Sequence, residues 1–200
     1  MKKIITFLLI VCSLHCWADE LTYYTNTEGQ YDWNLAINDC IACKFNTYSD
    51  FGITNWFRIH NIGQYFKYSG GIVKVYCGTK DADKPCFNSS NNFEGAEYCT
   101  EEQYTKGDPY NTNFNIYPNW KYPPYTNFWL VWHLKGGVQV NPYSDKNRKS
   151  MSMFYEYSTK TWKTNFGGKE IGDWYMFVLV AVYPTSLEST SFGIVKALFR

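Results

Sequence analysis

The chain has 200 residues, with 19 Lys and Arg against 18 Asp and Glu, and aromatic side chains make up 20% of it. A formal net charge of +1 gives no electrostatic basis for nucleic-acid binding, so no nucleic acid is expected as a partner. The length suits one domain with a substantial core and excludes neither a binding nor a catalytic role.

The opening "MKKIITFLLIVCSLHCWADE" joins basic Lys2 and Lys3 to an apolar run from Ile4 to Leu14, then Cys16-Trp17-Ala18. This is the pattern of a secretory signal over residues 1–18, with an apolar run too short to span a bilayer. The expectation is a secreted, extracellular domain over residues 19–200. Loss of Lys2 and Lys3 would leave 17 basic against 18 acidic residues.

Five cysteines follow the leader: Cys40, Cys43, Cys77, Cys86 and Cys99. In a secreted chain they are disulfide candidates, with one left over and the pairing unreadable. Cys40-x-x-Cys43 is half of a zinc site without a second close pair to complete it, and the redox reading lacks a strand–helix context, so no metal or cofactor is expected. Asn88-Ser89-Ser90 is a glycosylation acceptor triplet in a polar stretch.

Strand signals dominate the remainder. "WFRIHNI" at 56–62 alternates apolar and polar residues, and "GGIVKVYCG" at 70–78 is β-branched and bounded by glycine. Residues 79–113 read as long loops pinned by Cys77, Cys86 and Cys99, with a short helix in "GAEYCTEEQYT". "FWLVWHL" ends at Gly136-Gly137, a turn into "VQV" that suggests a hairpin. "MSMFYEYSTKTW" places Met151, Met153, Tyr155 and Tyr157 on one face and Ser152, Phe154, Glu156 and Ser158 on the other. Residues 174–183 form the most buried strand, and "FGIVKALF" is a last one. The expected fold is all-β, an antiparallel β-sandwich with long disulfide-pinned loops.

Nothing here forms a catalytic constellation. His60 and His133 lie on separate predicted strands, and Glu156, Glu170 and Asp173 have no spacing that singles out a pair. The aromatics carry more information. In "YPPYTNFWLVWHL" at 122–134, rings stand on alternating positions, and alternate residues of a strand face opposite sides. One set fills a core; the other is free to meet a ligand. Tyrosine joins an apolar ring to a polar hydroxyl, which suits sugar stacking or a membrane–water interface, and ring faces attract quaternary ammonium groups.

The order of residues in "FNIYPNWKYPPYTNFWLVWHLKGG" resembles the signature region of the actinoporin-like cytolysins. Tyr125, Asn127, Phe128, Trp129, Val131, Lys135 and Gly136 fall on that pattern, with Phe114 and Pro118 upstream. "SMSMFYEYSTKTW" is similar to the family's Met-Tyr-Glu segment. "GGIVKVYCGTKDADKP" is similar to its Gly-to-Tyr strand and following Lys-Asp loop. The resemblance spans roughly residues 70–185. It implies a β-sandwich that binds phosphocholine-containing membranes, assembles into oligomers there and forms a pore. It would place Tyr122, Tyr125, Phe128 and Trp129 in an interfacial patch, and Tyr155 and Tyr157 around a choline group. The segment "DELTYYTNTEGQYDWNLAIND" departs from the family, because it is polar and glycine-interrupted where a pore-forming helix would lie. A carbohydrate-binding module using the same rings, and a structural extracellular protein without a small ligand, remain open alternatives.

Overall fold

Alternation along the strands sets the layers. In the computed structural model, which describes residues 18–24, 30–78, 83–85, 96–146 and 151–183, the described regular elements are all strands. The first seven are β1 (Ala18–Leu21), β2 (Gln30–Asp32), β3 (Cys40–Phe45), β4 (Phe57–Tyr65), β5 (Gly71–Gly78), β6 (Tyr98–Cys99) and β7 (Gln103–Tyr104). Next come β8 (Asn111–Tyr122), β9 (Phe128–Gly137), β10 (Tyr143–Asp145) and β11 (Met151–Glu156). The last are β12 (Thr161–Lys163), β13 (Asn165–Phe166), β14 (Lys169–Glu170) and β15 (Met176–Val182).

One sheet has the order β1-β15-β4-β8; a larger one runs β12-β11-β3-β9-β5-β6, with β7 also paired to β5. Two short ribbons, β10-β2 and β13-β14, complete the set. Every pairing is antiparallel. Ile59, Ile62, Phe114, Val178 and Val180 of the first sheet share one buried cluster with Ile41, Phe45, Val75, Leu130 and Trp132 of the second. The arrangement is therefore all-β and sandwich-like, as the patterning implied. The outer face of the larger sheet carries a second buried cluster that includes Cys40, Tyr76, Trp129, Val131, Met153 and Tyr155. Both faces of its centre are thus covered, which explains why "FWLVWHL" is apolar at almost every position.

The predicted strands at 56–62, 70–78 and 174–183 correspond to β4, β5 and β15. The two faces of "MSMFYEY" separate as expected, Phe154 into the central cluster and Met153 and Tyr155 into the outer one. Two expectations are corrected. "GAEYCTEEQYT" contributes β6 and β7, because pairing with β5 offers its backbone a sheet edge. "VQV" does not fold back on β9: both edges of β9 are taken by β3 and β5, and Val140 instead bridges Leu35.

Disulfide-pinned loops are not shown: among the described cysteines Cys40, Cys43, Cys77 and Cys99, none is joined to another. Cys40 and Cys43 face opposite sides of β3, in different clusters. Cys43 and Cys77 share a face but flank Leu130 across β9, two strand spacings or about 9.6 Å apart, beyond bridging range. Cys99 sits beside Tyr76, and Cys77 beside Tyr98, so these two also face opposite ways. Cys86, Asn88, residues 1–17 of the expected leader and "FGIVKALF" lie outside the described residues.

Two sites test the packing. Gly137 has a left-handed backbone (φ +77°), and a Cβ there would lie 2.3 Å from the Gly70 carbonyl oxygen. Gly137→Ala is expected to destabilise the protein by about 2 kcal/mol or more. Gly167→Ala, strained in backbone but facing open space, should cost only about 1 kcal/mol. Urea unfolding of both variants checks the difference.

His133, between Cys40 and Lys74 on the outer face, is 1% exposed. Burial, reinforced by the Lys135 charge, pushes its pKa down to about 4. The unfolded chain therefore takes up this proton at higher pH than the folded one, and stability falls as pH drops from about 6.5 towards 4. Between pH 7 and 5 the expected loss from this group is about 2 kcal/mol, and urea unfolding of His133→Gln should lack that component.

Candidate functional site: an aromatic rim at one end of the sandwich

Six residues make up the expected lipid-binding site, and the structure divides them. Tyr122 and Phe128 stack on one another in the central core, with ring centroids 5.7 Å apart, and Phe57 packs on both. The Tyr122 hydroxyl lies 3.1 Å from Cys77 Sγ, and burial drives its pKa far above the ordinary tyrosine value. Trp129 and Tyr155 belong to the outer buried cluster, at 1% and 4% exposure. These four are interior residues, which corrects the expectation of an exposed patch built from them. Strand alternation placed them on two faces, and both faces are covered.

The expected choline cage at Tyr155 and Tyr157 is not open either. Tyr155 packs against Trp162, and the Lys160 ammonium sits 3.0 Å from the centroid of the Tyr157 ring. A cation of the chain itself thus occupies a position a ligand's ammonium would seek.

Tyr125 alone of the six is strongly exposed, at 60%. It follows Pro123-Pro124 in the β8–β9 loop and holds a left-handed backbone (φ 61°), uncommon for a tyrosine. Its ring meets Tyr48 edge to face, with centroids 5.1 Å apart at 71°. Tyr48 comes from the β3–β4 connection and is 55% exposed. The two loops are fastened together: the Thr47 amide donates to Asn127 Oδ1 at 3.1 Å, and its hydroxyl donates to the Thr126 carbonyl at 2.8 Å. Thr126 in turn donates to the Pro123 carbonyl. Asn127, one of the family-pattern residues, therefore ties two loops.

Trp56, 52% exposed, joins the same end. It precedes Phe57, which pairs with Tyr122, so Trp56 and the 123–127 loop leave the same margin of the sheet. The Tyr183 amide donates to its carbonyl at 2.8 Å. Behind Tyr48, the Tyr23 hydroxyl donates to Asp50 and accepts from the Asn46 amide. Burial alone would raise the Asp50 carboxyl, but hydrogen bonds from Tyr23, Ser49 and Asn46 outweigh it and hold the pKa below the usual carboxylate value. The result is a rim of Tyr48, Trp56 and Tyr125 on short, braced loops.

Sequence reading missed Tyr48 and Trp56, because neither lies in the family-like segment. Their only signal was a large aromatic in a polar turn, "NTYSDFGITNW". The opposite end exposes Tyr68, Tyr104 and Tyr110. There the charge beside Tyr68 is already matched, since Lys67 pairs with Asp32 at 2.6 Å. Among the described residues, no three His, Cys, Asp or Glu side chains form a group fit to hold a metal.

The bracing is testable. Tyr23→Phe removes both hydrogen bonds of the hydroxyl and should speed amide hydrogen exchange across residues 46–52 severalfold. Exchange in β9 should stay unchanged. No protein-family model matches this chain and no curated protein does, which leaves the chemistry of the rim as the guide to function.

Proposed function

We propose that this chain is a secreted protein that binds phosphocholine-containing membrane surfaces, non-catalytically, through the rim of Tyr48, Trp56 and Tyr125. The observation that carries the reading is the exposed edge-to-face pair of Tyr48 and Tyr125, on braced loops, at the same end as an exposed Trp56. Trp and Tyr favour the headgroup level of a bilayer, with apolar rings directed inward and polar atoms left in water. Two ring faces set at a steep angle offer a corner for a quaternary ammonium. The positive φ of Tyr125 is a local cost that fits a residue placed for contact.

The magnitudes keep the proposal modest. Three aromatics at about 1 kcal/mol each and a cation–π contact of about 2 kcal/mol sum to roughly 5 kcal/mol, or a Kd near 0.2 mM. That is surface docking, with no inserted helix required. A sugar platform would need coplanar rings, whereas Tyr48 and Tyr125 stand 71° apart, so the geometry favours the lipid reading over the glycan one.

The test is co-sedimentation of the mature protein with phosphatidylcholine vesicles, with and without sphingomyelin. The wild type should pellet. Trp56→Ala and Tyr125→Ala should each weaken binding about fivefold, in line with about 1 kcal/mol per interfacial aromatic. Tyr104→Ala at the far end should bind normally, and soluble phosphocholine should compete. A protein that stays in the supernatant with every lipid, or rim variants that bind like the wild type, would remove the proposal and turn attention to a glycan screen.

A further inference from the structure

Register brings two cations side by side on the outer face of the smaller large sheet, close to the rim. Arg58 of β4 lies directly opposite Lys121 of β8. Two residues before Arg58 comes Trp56 and two after Lys121 comes Pro123, so the cationic pair continues the row that ends at the rim. Like charges directly opposite destabilise an antiparallel pair. Among the described residues neither side chain has an ion-pair partner. Lys121 is exposed, while Arg58 is half-buried with its guanidinium 4.7 Å from the Tyr183 ring centroid. Arg58 Nε is shielded from solvent and makes no hydrogen bond. Elsewhere, Lys67 pairs with Asp32 and Lys163 with Glu156. A like-charge pair beside a buried, unused donor is a departure from local consistency, and such departures gather at functional sites.

We propose that Arg58 and Lys121 form a phosphate-binding site that takes the phosphate of a lipid headgroup as the rim docks. The lipid as source rests on the rim reading above; the chemistry is that of any phosphate ester. Arginine supplies a planar set of donors, held in orientation by Tyr183, and lysine a mobile point charge. The bound anion neutralises the repulsion that the empty pair carries. Each cation near an anionic bilayer adds about fivefold in affinity, so an anionic lipid should tighten the weak docking expected from the aromatics alone.

The experiment compares wild type, Arg58→Gln and Lys121→Gln on vesicles of phosphatidylcholine alone and of phosphatidylcholine with phosphatidylserine. A parallel arm titrates inorganic phosphate without lipid, following the Arg58 Nε–H resonance and the melting temperature. Phosphatidylserine should tighten wild-type binding. Each variant should lose about fivefold of that affinity, and the loss should shrink in high salt. Lys121→Gln should melt no lower than wild type without ligand, because it removes a repulsion; this separates lost binding from lost folding. Wild-type vesicle binding that both variants reproduce on the serine lipid would overturn the phosphate site and leave the rim standing. No vesicle binding, but a phosphate-induced resonance shift and a raised melting temperature absent in Lys121→Gln, would support the site for a soluble phosphate ester and remove the rim reading. Failure of both arms would overturn both.

Discussion

The structure hangs on β9. It is flanked by β3 and β5 and sends Phe128, Leu130, Trp132 and Leu134 into the central core and Trp129 and Val131 into the outer cluster. From Trp129 to His133 the strand has partners on both edges and cover on both faces, and its position fixes the planes of both layers. The turn before it, Pro123 to Asn127, and the turn after it at Gly137 are where the chain escapes this constraint. The aromatic rim sits at the first of these, and the close approach of Gly137 to Gly70 marks the second.

This arrangement explains how a chain so rich in rings avoids a large sticky surface. Most aromatics are used twice, as apolar volume and as ring-on-ring contacts: Phe45 on Phe128, Tyr122 on Phe128, Tyr98 on Trp120, Phe154 on Phe166. Offset and edge-to-face pairs of this kind are worth about 0.5–1.5 kcal/mol beyond burial. Tyr48, Trp56 and Tyr125 differ because they lie beyond the ends of strands, where no opposing layer exists to cover them. Their exposure is a consequence of topology, and the hydrogen bonds of Thr47, Asn127 and Asp50 keep it from becoming disorder.

The family-like motif shows how far pattern matching reaches. Of its residues, Phe128, Trp129 and Val131 are interior, and Asn127 ties a loop, so much of the motif describes how to build the end of a strand. Tyr125 is the motif's strongly exposed ring. The cage predicted at Tyr155 and Tyr157 failed for a reason no one-dimensional pattern contains: Trp162 and Lys160 return from the next turn and occupy those rings.

The sequence by itself determined the all-β class, the positions of β4, β5, β9, β11 and β15, and which residues of each share a face, because a period of two is a local property of the backbone. It marked Tyr125 as a ring in a proline turn. Only the tertiary structure decided which faces were covered, that Cys43 and Cys77 stand a strand apart from bridging, and that Tyr48 and Trp56 join Tyr125. It alone set Arg58 opposite Lys121. These depend on strand order and register, which join residues far apart in the chain, 63 positions for Arg58 and Lys121. Contacts at that separation follow from how sheets assemble, and no local pattern encodes them.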